Sequence, residues 1–149
     1  MAVFRLTKEF SFEAAHALDG YDGPCRAIHG HSYRLLVTVK GEPLADSASP
    51  KAGMVIDFGQ LKKIVAEEVI DRLDHALILR ADCAEWPLEA LSAAHPKLVL
   101  TLYRPTSENL LADFARRIIS RLPQGVALHT LRLYETATSY AEWCAEDNE

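Results

Sequence analysis

Hydrophobic and polar residues alternate near both ends of the chain, and this alternation predicts strands that are buried on one face. Shorter runs rich in Val, Leu and aromatic residues predict further strands between them. Stretches rich in Gly, Pro and Asp at residues 19–24 and 41–53 predict loops. The strands are predicted at residues 3–12, 33–39, 98–103, 126–134 and 140–144.

Two segments instead have helical spacing. Asp57 is a predicted N-cap with Gln60 three residues later, and a helix over residues 58–72 follows. A second helix opens at Pro105-Thr106-Ser107-Glu108. The apolar positions of the first are Leu61, Ile64, Val65, Val69 and Leu73, and those of the second are Leu110, Leu111, Phe114, Ile118 and Leu122.

Strands at both ends with two helices between them favour an α+β fold, in which an antiparallel sheet has both helices packed on one face. A length of 149 residues predicts one domain spanning residues 1–149. Residues 81–97 fit neither pattern and are predicted to be an inserted surface segment.

Charge and cysteine content limit the possible partners. A formal net charge of −5 argues against non-specific binding to nucleic acid or to anionic membranes. The first residues lack an apolar leader, and no run reaches the length of a membrane span. Three cysteines without paired spacing favour free thiols in a reducing compartment. We therefore expect a cytoplasmic protein.

Three of the six histidines lie between positions 16 and 31. His29 and His31 would project to the same side of an extended chain, about 6–7 Å apart, and an adjacent strand could bring His16 to the same point. Three imidazoles with no fourth protein ligand are typical of a catalytic zinc site with one open position. The alternative is that the His-x-His pair arises by chance and that His16 is a half-buried residue at a strand end.

Cys25, Asp74 and His75 are candidates for proton transfer. Cys25 lies four residues before His29, so a metal there would lower its pKa; alternatively it is a fourth ligand or an inert thiol. Asp74 next to His75 could fix the tautomer of a proton shuttle, if the two side chains converge. The alternative for this pair is a helix C-terminus at which the imidazole interacts with the helix dipole.

Two glutamates are the remaining candidates for the functional site. Glu135 ends a predicted strand, and its carboxylate could accept two N–H donors from a guanidine-like heterocycle, although a solvated strand end is an equal alternative. Glu108 lies in the first turn of the second helix, where the helix dipole accounts for it.

Six motifs occur in the order found in the 6-pyruvoyl-tetrahydropterin synthase family, which the chain resembles from about residue 4 to residue 136. The three-residue gap between Cys25 and His29 resembles the bacterial branch, the 6-carboxy-tetrahydropterin synthases of queuosine biosynthesis. The motifs are Phe10-Ser11-Phe12-Glu13-Ala14-Ala15-His16, Cys25-Arg26-Ala27-Ile28-His29-Gly30-His31-Ser32-Tyr33, Gly53-Met54-Val55-Ile56-Asp57-Phe58, Leu73-Asp74-His75, Pro105-Thr106-Ser107-Glu108-Asn109 and Glu135-Thr136.

The resemblance implies a tunnelling fold that assembles into a homo-oligomeric ring such as a hexamer, with active sites at subunit interfaces. It implies that His16, His29 and His31 bind Zn²⁺, that Cys25 is the catalytic thiolate and that Asp74 and His75 transfer protons. Glu135, with Glu108 near the same pocket, would anchor the pterin. The implied reaction is a lyase reaction on 7,8-dihydroneopterin triphosphate that releases triphosphate and acetaldehyde and leaves 6-carboxy-5,6,7,8-tetrahydropterin.

Three points stay open at this stage. Arg26, Lys51 and Arg104 are equal candidates for binding the triphosphate. Both the 81–97 insert and a long acidic tail after Glu135 depart from the bacterial pattern. The alternatives in function are therefore a 6-pyruvoyl-tetrahydropterin synthase, which eliminates triphosphate only, and a non-catalytic zinc-binding or pterin-binding module.

Overall fold

The computed structural model describes residues 2–149. Six strands and four helices follow one another along the chain: β1 (Phe4–His16), β2 (His29–Gly41), α1 (Phe58–Val65), α2 (Asp71–Leu73), β3 (Ala76–Arg80), α3 (Leu88–Ala94), β4 (Leu98–Thr101), α4 (Ser107–Ile119), β5 (Val126–Thr136) and β6 (Ser139–Cys144). Short 3₁₀ turns lie at Pro24–Arg26 and Ala145–Asp147.

The six strands form one mixed sheet in the order β4-β3-β1-β2-β5-β6. The predicted α+β class is confirmed, and the β1/β2, β2/β5 and β5/β6 pairs are antiparallel as expected. The prediction of an antiparallel sheet is wrong for the pairs β1/β3 and β3/β4, which are parallel. Strand β3 was not predicted, because its run Ala76–Leu79 is buried throughout and does not alternate.

The first predicted helix is present but is not uniform. Asp57 caps it by accepting a hydrogen bond from the Gly59 backbone N–H at 2.7 Å. Between α1 and α2 the helix widens into a π-helical segment over Ala66–Ile70, which keeps Val69 and Leu73 buried on the same side as Leu61.

Helices α1, α2 and α4 share one hydrophobic core with the inward side chains of β1, β2 and β5. The cap of α4 is Thr106, whose side chain accepts a hydrogen bond from the Asn109 backbone N–H at 3.2 Å. Its predicted apolar face is buried as far as Ile118, and Leu122 packs against the core beyond the end of the helix.

The 81–97 segment contains a third packed helix, α3, that sequence patterns did not predict. Ala76 and Ile78 of β3 belong to the main core, whereas the alternate residues Leu77 and Leu79 belong to a second, smaller cluster. Trp86, Leu88, Leu91 and Leu98 pack against this second cluster. Helix α3 therefore covers the opposite face of β3, as parallel strands usually require.

Candidate metal centre and its flanking cavities

The three clustered histidines meet because β1 and β2 pair in an antiparallel register. His16 is directly opposite His29, and Ala14 is opposite His31, so all three imidazoles project near one point. Their ring centroids lie 4.6–5.1 Å apart, and the Nε2 atoms of His16 and His29 are separated by 3.1 Å. His16 is fully buried, and His29 and His31 are half-buried.

Backbone carbonyls fix the tautomers of two of these rings. His16 Nδ1–H donates to the Pro105 carbonyl at 2.8 Å, and His29 Nδ1–H donates to the Ala27 carbonyl at 2.7 Å. A carbonyl can only accept, so the proton of each neutral ring lies on Nδ1 and each Nε2 presents a lone pair to the other. Burial lowers the pKa of both His16 and His31, which favours neutral rings.

This donor set fits a zinc ion. One ligand nitrogen from each histidine lies within 4.8 Å of the others, and Nε2 of His31 is buried without a hydrogen-bond partner. Nitrogen ligands of tetrahedral zinc at about 2.0–2.1 Å from the metal are about 3.3 Å from each other, close to the observed 3.1 Å. Two facing lone pairs and one unpartnered nitrogen could therefore hold a metal ion.

Glu135 lies beside this centre, at the end of β5. Its Oε1 is 3.8 Å from His16 Nε2 and 3.9 Å from His31 Nε2, and it accepts a hydrogen bond from the Ser107 hydroxyl at 3.1 Å. Glu108 and Glu135 line the same cavity of about 230 Å³, together with Ser107 and Tyr140. The structure thus brings the two predicted glutamates together on one side of the histidines.

Asp74 and His75 converge, with His75 Nδ1 located 3.0 Å from Asp74 Oδ1. The pair is held against β1, because the Glu13 N–H donates to Asp74 Oδ1 at 3.0 Å and the His75 N–H donates to the Glu13 carbonyl at 2.5 Å. The Glu13 N–H and the nearby imidazole hold the pKa of Asp74 below its usual range. His75 has a φ of 63°, in the left-handed region that side chains other than Gly rarely occupy.

A second cavity of about 370 Å³ lies on the sheet face of the second hydrophobic cluster, opposite to the face from which the three imidazoles project. His31 and His75 are both among the residues that line it. His95, from the end of the 81–97 segment, lines the same cavity. Cys25 is half-buried on the 3₁₀ turn before β2 and is not among the residues that line this cavity.

Two of the three cations suggested for phosphate binding are engaged elsewhere. The Arg26 guanidinium contacts both carboxylate oxygens of Glu85, at 3.1 and 3.4 Å. Lys51 is ion-paired with Asp57, whose pKa it lowers.

Sequence patterns missed several groups that shape the centre. The carbonyls of Ala27 and Pro105 fix the two tautomers, and no side-chain pattern could identify them. Ser107 lies in a motif already singled out, but its contact with Glu135 spans 28 positions. Tyr33, whose pKa burial raises, stacks against Phe12 beneath the histidines.

Comparison with known proteins agrees with these observations. The family model described as 6-pyruvoyl tetrahydropterin synthase matches residues 5–146. The chain belongs to this family. It is 39% identical over 145 residues to a protein of Haemophilus influenzae named 6-carboxy-5,6,7,8-tetrahydropterin synthase, a match that covers 95% of this chain and 99% of the relative.

Solved structures of the family share the fold, which confirms the predicted tunnelling fold. The 6-pyruvoyl tetrahydropterin synthase of Caenorhabditis elegans superposes with a TM-score of 0.69 at 25% identity, covering 97% of both chains. An uncharacterized protein of Wolinella succinogenes gives a TM-score of 0.78 at 22% identity, over 97% of this chain and 99% of that one. Within residues 2–149, no helix is both long and apolar enough to cross a membrane.

Proposed function

We propose that the chain is a zinc-dependent lyase that converts 7,8-dihydroneopterin triphosphate to 6-carboxy-5,6,7,8-tetrahydropterin, with release of triphosphate and acetaldehyde. The observation that carries this proposal is the convergence of three imidazoles beside a cavity that is lined by Glu108 and Glu135. The name of the Haemophilus influenzae relative supports the 6-carboxy product. A role in queuosine biosynthesis is part of the proposal, and it rests on the resemblance to the bacterial branch of the family.

Binding in this proposal begins at the smaller cavity. The Glu135 carboxylate receives the N–H donors of the pterin's pyrimidine edge, and the Ser107 hydroxyl orients it. Glu108, exposed at the start of α4, lines the same space and adds a second acceptor. A ring held there has its side chain directed over the histidines, since Glu135 Oε1 is within 4 Å of two of them.

His16, His29 and His31 would hold the zinc ion through nitrogens that their carbonyl contacts leave unprotonated. Zinc supplies Lewis acidity, which acidifies protons next to the side-chain oxygens of the substrate.

Proton transfer falls to three further residues of the chain. Asp74 is held ionised by the Glu13 N–H, and it orients the His75 imidazole at a distance of 3.0 Å. His75 is the proposed carrier of protons at the substrate side chain. Cys25, on the turn that leads into His29, is the proposed thiolate base.

We also propose that the protein acts as a homo-oligomer in the cytoplasm, in a ring such as a hexamer, with active sites completed between subunits. The two edges of the sheet are β4 and β6, each of which pairs with a neighbouring strand on one side only within residues 2–149. Next to the β4 edge, Leu100 is 46% exposed and Leu102 is 91% exposed. Unpaired edges with exposed apolar residues favour pairing with another copy.

A 6-pyruvoyl-tetrahydropterin synthase is the second candidate, supported by the name of the Caenorhabditis elegans neighbour. The two reactions differ in their products, because only the first cleaves a carbon–carbon bond and releases acetaldehyde. A non-catalytic pterin-binding module would have no use for the Asp74–His75 pair that the fold holds against β1.

The decisive experiment incubates the zinc-loaded protein with 7,8-dihydroneopterin triphosphate and identifies the products by mass spectrometry, with acetaldehyde trapped as a hydrazone. We expect 6-carboxy-tetrahydropterin, acetaldehyde and triphosphate in equal amounts. A pyruvoyl product without acetaldehyde would establish the second candidate. The matched control is the Cys25→Ala protein. If zinc is bound, the substrate stays unchanged and the control gives the same trace, the protein is a binding module.

A further inference from the structure

The 81–97 segment ends beside the predicted proton-transfer pair. Its last residue, Lys97, is half-buried and directly precedes β4, and its Nζ donates to the Asp74 carbonyl at 2.6 Å. This carbonyl belongs to the peptide bond that joins Asp74 to His75. The ammonium group therefore contacts the backbone of the pair.

The backbone of Lys97 is itself fixed by the sheet and by helix α3. The Leu77 N–H donates to the Lys97 carbonyl at 3.0 Å, and the next residue, Leu98, is opposite Leu77 in the parallel β3/β4 ladder. Leu98 and Leu91 of α3 pack against the second hydrophobic cluster. The lysine side chain therefore starts from a position that packing and hydrogen bonds define.

The backbone that Lys97 contacts has an unfavourable conformation. The φ of 63° at His75 lies in a region that residues other than Gly occupy at a cost, and such a conformation persists when surrounding contacts hold it. On the side of β1, the His75 N–H donates to the Glu13 carbonyl, and the Glu13 N–H donates to Asp74 Oδ1 at 3.0 Å. Lys97 holds the same peptide from the side of β4.

The charge of Lys97 acts on the pair as well. Within residues 2–149, Lys97 forms no ion pair, and the Asp74 carbonyl accepts the hydrogen bond of its ammonium group. A charged donor makes this bond stronger than one between neutral groups. The Glu13 N–H is the main cause of the lowered pKa of Asp74, and the nearby positive charge of Lys97 adds to it. Both effects favour the arrangement in which an ionised Asp74 lies 3.0 Å from His75 Nδ1.

We propose that Lys97 is a positioning residue for the Asp74–His75 pair, and that the 81–97 segment supplies it. The inference rests on the proposed function for the catalytic role of the pair, whereas the contact with the Asp74 carbonyl is independent of that role. Lys97 acts through the backbone of the two residues, and this gives the insert a function that its sequence pattern does not reveal.

The first experiment measures hydrogen exchange by mass spectrometry in peptides that cover residues 74–77. In the Lys97→Met protein, exchange there should be about tenfold faster, as expected for the loss of one hydrogen bond from a charged donor. Lys97→Arg should keep most of the protection, because a guanidinium also donates and stays charged. Lys62→Met, the same change at an exposed position of α1, is the matched control and should exchange like the wild type.

Turnover of 7,8-dihydroneopterin triphosphate by the zinc-loaded proteins is the second readout. Lys97→Met should lower kcat about tenfold and leave KM nearly unchanged, because the proposed pterin contacts lie at Glu135. Lys97→Arg should recover most of this kcat. In a His75→Asn background, Lys97→Met should cause no further loss, since its effect passes through the imidazole.

Equal exchange at residues 74–77 in the wild-type and Lys97→Met proteins would overturn the inference. A further tenfold loss of kcat in the His75→Asn background would also overturn it, because Lys97 would then act by another route. If Lys97→Met does not fold, Lys97→Gln takes its place in both comparisons. Hydrogen exchange needs no turnover, so failure of the proposed reaction is distinguishable from failure of this contact.

Discussion

The left-handed backbone of His75 leads to a prediction that separates function from stability. A residue other than Gly at a φ of 63° is strained by about 1–2 kcal/mol. Such strain persists at functional positions, where the side chain is needed in spite of its cost. Asn adopts this conformation more readily than other residues, so His75→Asn should keep the backbone while removing the imidazole.

The expected change in stability is small. Because Asn is enriched in this region, the substitution should not add to the strain of the backbone. Loss of the contact with Asp74 should remove at most about 0.5 kcal/mol, because the His75 and Asp74 side chains are 78% and 40% exposed. We expect His75→Asn to unfold within about 2 °C of the wild type or slightly above it.

The assay is thermal unfolding in parallel with turnover of 7,8-dihydroneopterin triphosphate. His75→Asn should retain its metal and its melting temperature but lose turnover by a factor of about 10²–10⁴, the usual contribution of a positioned acid or base. His75→Val is the matched control, since a β-branched residue at this φ should be clearly less stable. Unchanged turnover in His75→Asn would refute the role of the imidazole in proton transfer. A melting temperature lower by more than about 4 °C would refute the claim that Asn fits this backbone conformation.

Three further predictions concern other parts of the molecule. Asp113, 11% exposed, accepts hydrogen bonds from Tyr103, Arg116 and Arg117, so Asp113→Asn should lower the free energy of unfolding by about 2–3 kcal/mol in urea titrations. Desolvation raises the pKa of Asp113, but these donors hold it below its usual value. The loss of unfolding free energy in Asp113→Asn should therefore be constant above about pH 5 and become smaller as the pH falls below about 4. Cys25→Ala should keep zinc and fold while turnover falls, and turnover equal to that of the wild type would remove Cys25 from the mechanism. Ser107→Ala should raise the KM for the pterin about fivefold or more by releasing Glu135, with the melting temperature as its control.

The parts of the fold that the sequence predicts well are those with local patterns. Asp57 and Thr106 are side-chain caps, and the helices that follow them bury the predicted apolar faces. Strand β3 was missed because a parallel strand buried on both faces has no alternation. Its pairing with β1 and β4 depends on contacts between distant segments, which no window of sequence contains.

In the candidate site, too, local patterns are predicted from the sequence and contacts between distant segments are not. The spacing of His29 and His31 predicted that they would share a face, and the register of β1 on β2 adds His16. The tautomer of His16 depends on the Pro105 carbonyl, which is 89 positions away in the chain. A pattern of side chains cannot identify such a backbone atom. Lys97 lies in a segment without a recognisable pattern, and only the packing of α3 on β3 brings it to the predicted proton-transfer pair.

Metal analysis is the direct test of whether His16, His29 and His31 form one metal centre. Wild-type and His29→Ala proteins, purified side by side without chelators, are analysed by inductively coupled plasma mass spectrometry. We expect about one zinc ion per chain in the wild type and little in His29→Ala, because two histidines alone are fewer than the usual ligands of a zinc site. Equal zinc contents in the two proteins, or no metal in the wild type after zinc is supplied, would contradict it.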